Sequence, residues 1–114
     1  MTPIPFSLPD DGFTERKGSV RLIDGYVEIR LQTSLMGEFN KEERIFKIEA
    51  ATLEDAHLTT GWFKDKICLA PKNDELFEGL PGFLEGEVKL SVWRKHRQAG
   101  LQLIDHLQRA IVGF

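Results

Sequence analysis

The chain has 114 residues, 41% of them hydrophobic and 29% charged, with 15 Lys and Arg against 18 Asp and Glu. That is enough for one packed core and too little for two, and too hydrophobic for a disordered chain. The net charge of −3 argues against a nucleic-acid partner, which needs a cationic surface to displace counterions from phosphates. Cys68 is the single cysteine, which excludes an intrachain disulfide and a zinc site built on paired cysteines. No window approaches the ~20 apolar residues that span a bilayer, and the first residues carry no cationic, apolar leader pattern. The expectation is a cytoplasmic protein with no transmembrane segment.

Residues 1–12 read as an extended N-terminal arm rich in proline and ending in a turn at Asp10-Asp11-Gly12. Ile4, Phe6 and Leu8 alternate, so the arm can pair as an edge strand, a position that tolerates proline better than a sheet centre. Ser19 to Ile23 and Tyr26 to Leu31 flank Asp24-Gly25, a dipeptide suited to the positive φ values of a two-residue hairpin turn. Val20 and Leu22, then Val27, Ile29 and Leu31, mark the core face.

After a polar connection at Gly37 to Glu43, Arg44 to Ala50 reads as a third strand, with Phe46, Ile48 and Ala50 inward. Ala51 to Asp55 reads as a turn or short helical step, and His57 to Phe63 as a short strand ending before Asp65. Lys66 to Ala70 is a further strand stopped by Pro71. Lys72 to Gly86 is loop or one short irregular strand, with a turn at Leu80-Pro81-Gly82. Glu87 to Trp93 alternates cleanly, placing Trp93 opposite to Val88, Leu90 and Val92.

The terminal segment, Arg94 to Val112, is helical by periodicity. Gly100, Leu103, Ile104, Leu107, Ile111 and Phe114 fall in one stripe at 100° per residue, with Gln98, Gln102, Asp105, Gln108 and Arg109 outside it. Burying the stripe's large side chains contributes roughly 1.5–3 kcal/mol each before entropy is subtracted.

The meander from Gly18 to Leu31, the final strand Gly86 to Trp93 and its direct entry into a helix with Ala99, Leu103, Ile104 and Leu107 resemble the pleckstrin-homology-like superfold, and more particularly its small bacterial members. The resemblance covers the chain from about Phe13 and implies one mainly β (α+β) domain: a bent antiparallel barrel or roll of six or seven strands, capped at one end by a single C-terminal α-helix. The superfold hosts headgroup binding, peptide binding and scaffolding. Its phosphoinositide-binding members place a lysine on the first strand and a basic-x-basic triplet on the second. Lys17 and Arg30 match the outer positions here. Glu28 falls in the middle, and the loop is the tight Asp24-Gly25, so an anion there meets a carboxylate and little space.

The most unusual chemical feature is Arg94-Lys95-His96-Arg97, because cations are disfavoured at a helix N-terminus. Either an anion or acidic partner binds there, or the four residues are solvated and pair with the Asp74-Glu75-Leu76-Phe77-Glu78 loop, Glu85 or Glu87. Trp93, Phe77, Phe83, Leu101 and Val112 are candidate protein contacts, since Phe77 and Phe83 lie on a long connection and the others lie off the core stripes.

His57, His96 and His106 fall in different elements without the spacing of a metal site, and Cys68 between Ile67 and Leu69 reads as a small buried residue. The expectation is therefore a non-enzymatic binding or scaffolding module without metal or cofactor. It acts through a protein partner or as a homo-oligomer, with strand addition at a sheet edge as one route. The alternatives are recognition of an anion or an acidic membrane surface through the basic junction, and a small-ligand carrier or enzyme with a pocket in the barrel mouth.

Overall fold

The computed structural model describes residues 2–8, 14–35 and 41–113. The expected turn at Asp10-Asp11-Gly12, most of the Gly37 to Glu43 connection and Phe114 lie outside the described residues. In chain order the strands are β1 (Ile4–Leu8), β2 (Thr14–Ile23), β3 (Tyr26–Leu35), β4 (Lys41–Glu49), β5 (Leu53–Thr59), β6 (Lys64–Pro71), β7 (Phe83–Leu84) and β8 (Glu87–Trp93). A 3-10 turn at Arg94–His96 then leads into helix α1 (Arg97–Ile111).

All pairings are antiparallel, in the order β4-β3-β2-β1-β8-β6-β5, with β7 hooked onto β8. One face of this sheet and one stripe of α1 share a single apolar cluster, so the sheet bends around its core. The expected mainly β architecture with one terminal helix is what the chain adopts. It is an open roll and not a closed barrel, because among the described residues β4 and β5 do not pair.

The β2–β3 hairpin forms as its sequence dictates. Asp24 and Gly25 have φ of 52° and 80°, and Ile23 faces Tyr26 across the turn. A 3-10 turn at Ala50–Thr52 joins β4 to β5 where a turn or short helical step was expected. The strand expected over His57 to Phe63 instead runs from Leu53 to Thr59, and an irregularity between Leu53 and Asp55 sets its register. Lys72 to Gly86 carries a 3-10 turn, Asp74–Phe77, and the short β7.

The N-terminal segment is more than an edge. Ile4, Phe6 and Leu8 are buried, and β1 lies between β2 and β8. Its bonding is lopsided: the ladder to β2 runs from Ile4↔Val20 to Leu8↔Arg16, whereas β8 is met in one register pair, Ser7↔Ser91. A proline-containing strand offers few donors, and this one is bonded fully on one side only.

Gly18 lets β2 and β3 approach closely. A Cβ there would sit 1.7 Å from the carbonyl oxygen of Arg30 on β3, a clash with backbone that no rotamer change relieves. Gly18→Ala is expected to cost about 1–3 kcal/mol, read as a lower urea midpoint with unchanged slope. An unchanged midpoint would mean that the strands separate there freely.

Helix α1 buries Gly100, Leu103, Ile104 and Leu107, all within the expected stripe, chiefly against β5 and the Ala50–Thr52 turn. The Gln108 side-chain amide donates to the carbonyl of Ala56 at 3.0 Å, so α1 also occupies part of the free edge of β5. The other edge, β4, carries Glu42, Glu43, Arg44, Lys47 and Glu49, a charge pattern that discourages pairing with another chain.

Candidate functional site

Four residues, Thr60 to Phe63, connect β5 to β6 at one end of the roll. They are fastened from below. Asp65, fully buried on the core face of β6, accepts from the backbone N–H of Gly61 at 3.0 Å and from Arg97 twice, Nε to Oδ2 and Nη2 to Oδ1, both at 2.8 Å. Arg97 also donates to the carbonyl of Gly61 at 3.2 Å, and the N–H of Arg94 to the carbonyl of Phe63 at 3.1 Å. The Arg97 fork, aided by the Gly61 N–H and the charge of Arg94, holds the Asp65 carboxyl below its ordinary range despite burial.

This pair answers the problem posed by cations at a helix start. Arg97, only partly exposed, is not matched to the Asp74–Glu78 loop or to Glu85 or Glu87. Its carboxylate is Asp65, delivered by a neighbouring strand to the first turn of α1, where negative charge is favoured. Arg97 therefore leaves the set of candidate anion ligands. Glu87 pairs instead with Lys89 at 3.5 Å.

The fastening displays rather than buries what the connection carries. Trp62 is 81% exposed and Phe63 71%, their rings edge to face at 6.5 Å, and Trp93 is 53% exposed. With Arg94 and Lys95 these three line a shallow depression of about 400 Å³. Neither cation makes a salt bridge among the described residues. The Lys64 ammonium lies 4.5 Å from the centre of the Trp93 ring. Beyond Trp93 a second groove, about 890 Å³, runs over the outer face past Lys64, Ser91, Ser7, Lys17 and Arg30.

Of the expected contact residues, Trp93 joins this surface, while Leu101 on α1 and Val112 just beyond its end are exposed and line no part of it. Phe77 is a correction: it is 1% exposed and stacks edge to face on the partly buried Phe83 at 5.4 Å, so the long connection tucks its aromatics inward. His96 is half-buried in the 3-10 turn. Trp62 and Phe63 were missed because they were assigned to a strand. Two adjacent large aromatics cannot both face a core from one strand, and that was the available signal.

At the position of the basic-x-basic triplet, Glu28 is buried and accepts from Arg21 and Arg30 Nε, each at 3.0 Å. Those two bonds hold its carboxyl below the ordinary range. The Glu28 carboxylate thus takes up the Nε hydrogen bonds of both Arg21 and Arg30.

On the outer face of β5, β6 and β8 the register assembles a second constellation. His57 faces Cys68, Cys68 faces Lys89, and Glu87 stands two residues from Lys89 on the same face. Donor atoms of His57, Cys68 and Glu87 all lie within 4.8 Å of one another. Sequence spacing placed the histidines apart and did not associate these three residues.

Comparisons of the chain with family models, curated proteins and solved structures find no match. Among the described residues no helix is long and apolar enough to cross a membrane.

Proposed function

We propose that this chain is a non-enzymatic binding module of pleckstrin-homology-like type, whose docking surface is the tip formed by Trp62, Phe63, Trp93, Arg94 and Lys95. The occupant is an acidic segment of a partner protein carrying an apolar anchor. One observation carries the reading: two adjacent aromatics are held at 81% and 71% exposure by a connection clamped through Asp65 and Arg97. Clamping removes the ordering cost that a floppy loop would incur on binding. Aromatic and arginine side chains are also the commonest anchors at interfaces.

Arg94 and Lys95, which form no salt bridge among the described residues, set the partner's character. Across a two-fold axis through this tip they would face their own copies, which weighs against a symmetric homodimer and for a complementary acidic surface. The charged β4 edge and the α1-covered β5 edge weigh against strand addition. None of the five lining residues is a nucleophile or general base poised for chemistry. The single cysteine supports a reducing compartment such as the cytoplasm.

Selection of displayed random peptides on the immobilised chain is expected to enrich Asp and Glu beside Leu, Ile or Phe. Trp62→Ala should weaken the enriched peptides about 30-fold or more while leaving stability within about 0.5 kcal/mol, as befits an exposed side chain. Failure to enrich such peptides would overturn the proposal. So would salt-sensitive sedimentation with phosphatidylserine vesicles that is lost in Trp62→Ala, which would assign the tip to an acidic membrane surface. A concentration-dependent dimer lost in Trp62→Ala would assign it to self-association.

A further inference from the structure

We propose that His57, Cys68 and Glu87 form a binding site for a zinc-class divalent cation on the outer face of the sheet, independent of the aromatic tip.

Register builds the site. Residues directly opposite on neighbouring antiparallel strands stand about 4.5–5.5 Å apart at Cβ, and diagonal neighbours somewhat further. His57 on β5 is opposite Cys68 on β6, and Glu87 is the diagonal neighbour of Cys68 on β8. Three adjacent strands therefore each contribute one donor, all within 4.8 Å. Metal–ligand bonds of about 2.0–2.3 Å in a tetrahedral site hold donors roughly 3.3–3.8 Å apart. Closing that gap takes side-chain shifts of about 1–1.5 Å, within the reach of χ rotations.

The donor set is selective. Thiolate, imidazole and carboxylate together suit zinc and its borderline-soft neighbours, not magnesium or calcium, which take oxygen ligands. A thiolate and a carboxylate also balance the two charges of the cation. Cys68 is 3% exposed although it lies on the face away from Ile67 and Leu69, so its sulfur is enclosed by the neighbouring side chains.

His57 is already oriented. Its Nδ1 lies 2.8 Å from Asp55 Oδ2, and the tautomer that donates there keeps the Nε2 lone pair for a metal. A carboxylate behind a ligating histidine is the usual arrangement around zinc. Without a cation, Glu87 is matched by the exposed Lys89 ammonium at 3.5 Å, a surface pair that is readily exchanged. Three protein ligands leave a fourth position for water.

Metal-free protein titrated with cobalt(II) is expected to take up one equivalent and develop a thiolate-to-cobalt charge-transfer band. Cys68→Ser should abolish the band, and Cys68→Ser or His57→Gln should each lower zinc affinity at least about 100-fold in competition with a chromophoric chelator. Asp55→Asn, acting through His57, should lower it about tenfold. His106→Gln should leave both readouts unchanged. Melting curves in chelator establish that each variant folds, and the half-exposed His57 keeps the test open if Cys68→Ser does not. Absence of micromolar uptake, or a band and an affinity that survive both Cys68→Ser and His57→Gln, would overturn the site.

Discussion

Replacing Leu107 by aspartate is expected to abolish the cooperative thermal melt. Leu107 is fully buried, on the stripe of α1 that faces β5 and the Ala50–Thr52 turn. The substitution removes about 2–3 kcal/mol of apolar burial and adds several more for a carboxylate with no partner. A domain of this size has about 5–15 kcal/mol in total, so little or nothing remains. Leu107→Ala, which leaves a void and no charge, should instead cost about 2–5 kcal/mol and keep a sharp transition at lower temperature. Calorimetry distinguishes the two. A Leu107→Asp protein that still melts cooperatively would falsify the placement of this stripe against the sheet.

Arg97→Ala should be nearly as damaging, for an electrostatic reason. Asp65 is fully buried and loses two of its three donors, keeping only the Gly61 N–H. Leaving a buried charge without its counter-ion costs about 3–5 kcal/mol, here nearer 3 because Arg97 is partly exposed. The midpoint should fall by about 15 °C. Arg97→Lys should recover little, since a single ammonium cannot make the two-pronged contact.

The pH dependence carries a sign. In the native protein the Asp65 carboxyl titrates below its ordinary value of 3.8, so the folded state holds fewer protons there than the unfolded one. Its stabilisation is complete above that value and declines as pH falls through the lower folded one. With Arg97 gone, burial pushes the same carboxyl upward, and the variant gains stability on protonation. Denaturation series from pH 7 to 3 should therefore show the two proteins converging at the acid end. A constant gap would remove Asp65 from the account.

Legibility in the sequence followed the range of the interaction. The Asp24-Gly25 hairpin, β8 and the α1 stripe from Gly100 to Leu107 are specified within a few residues by turn chemistry or periodicity and form where their patterns place them, although the helix expected from Arg94 begins at Arg97 after a 3-10 turn. The β5 strand was misplaced by several residues because the irregularity at Leu53 and Asp55 breaks a pattern that Leu58 satisfies in either frame. Asp65 alternates with Ile67 and Leu69 and so was readable as facing inward. Its partner lies 32 residues away, and nothing local announces it. His57, Cys68 and Glu87 needed two strand registers at once, which no single-strand pattern contains.

The one-pair junction between β1 and β8 has a consequence for the outer face. The larger groove lies across it, with Ser7 on one bank and Ser91, Lys64 and Trp93 on the other. Widening a crevice between fully laddered strands means breaking a row of bonds together. Here the seam is held by one register pair, by the Lys64 ammonium donating to Ser7 Oγ at 3.4 Å, and by the core side chains of β1 and β8 beneath it. The groove thus crosses the sheet where its backbone ladder is thinnest and its side chains carry more of the cohesion, and Trp93 lines both this groove and the aromatic tip.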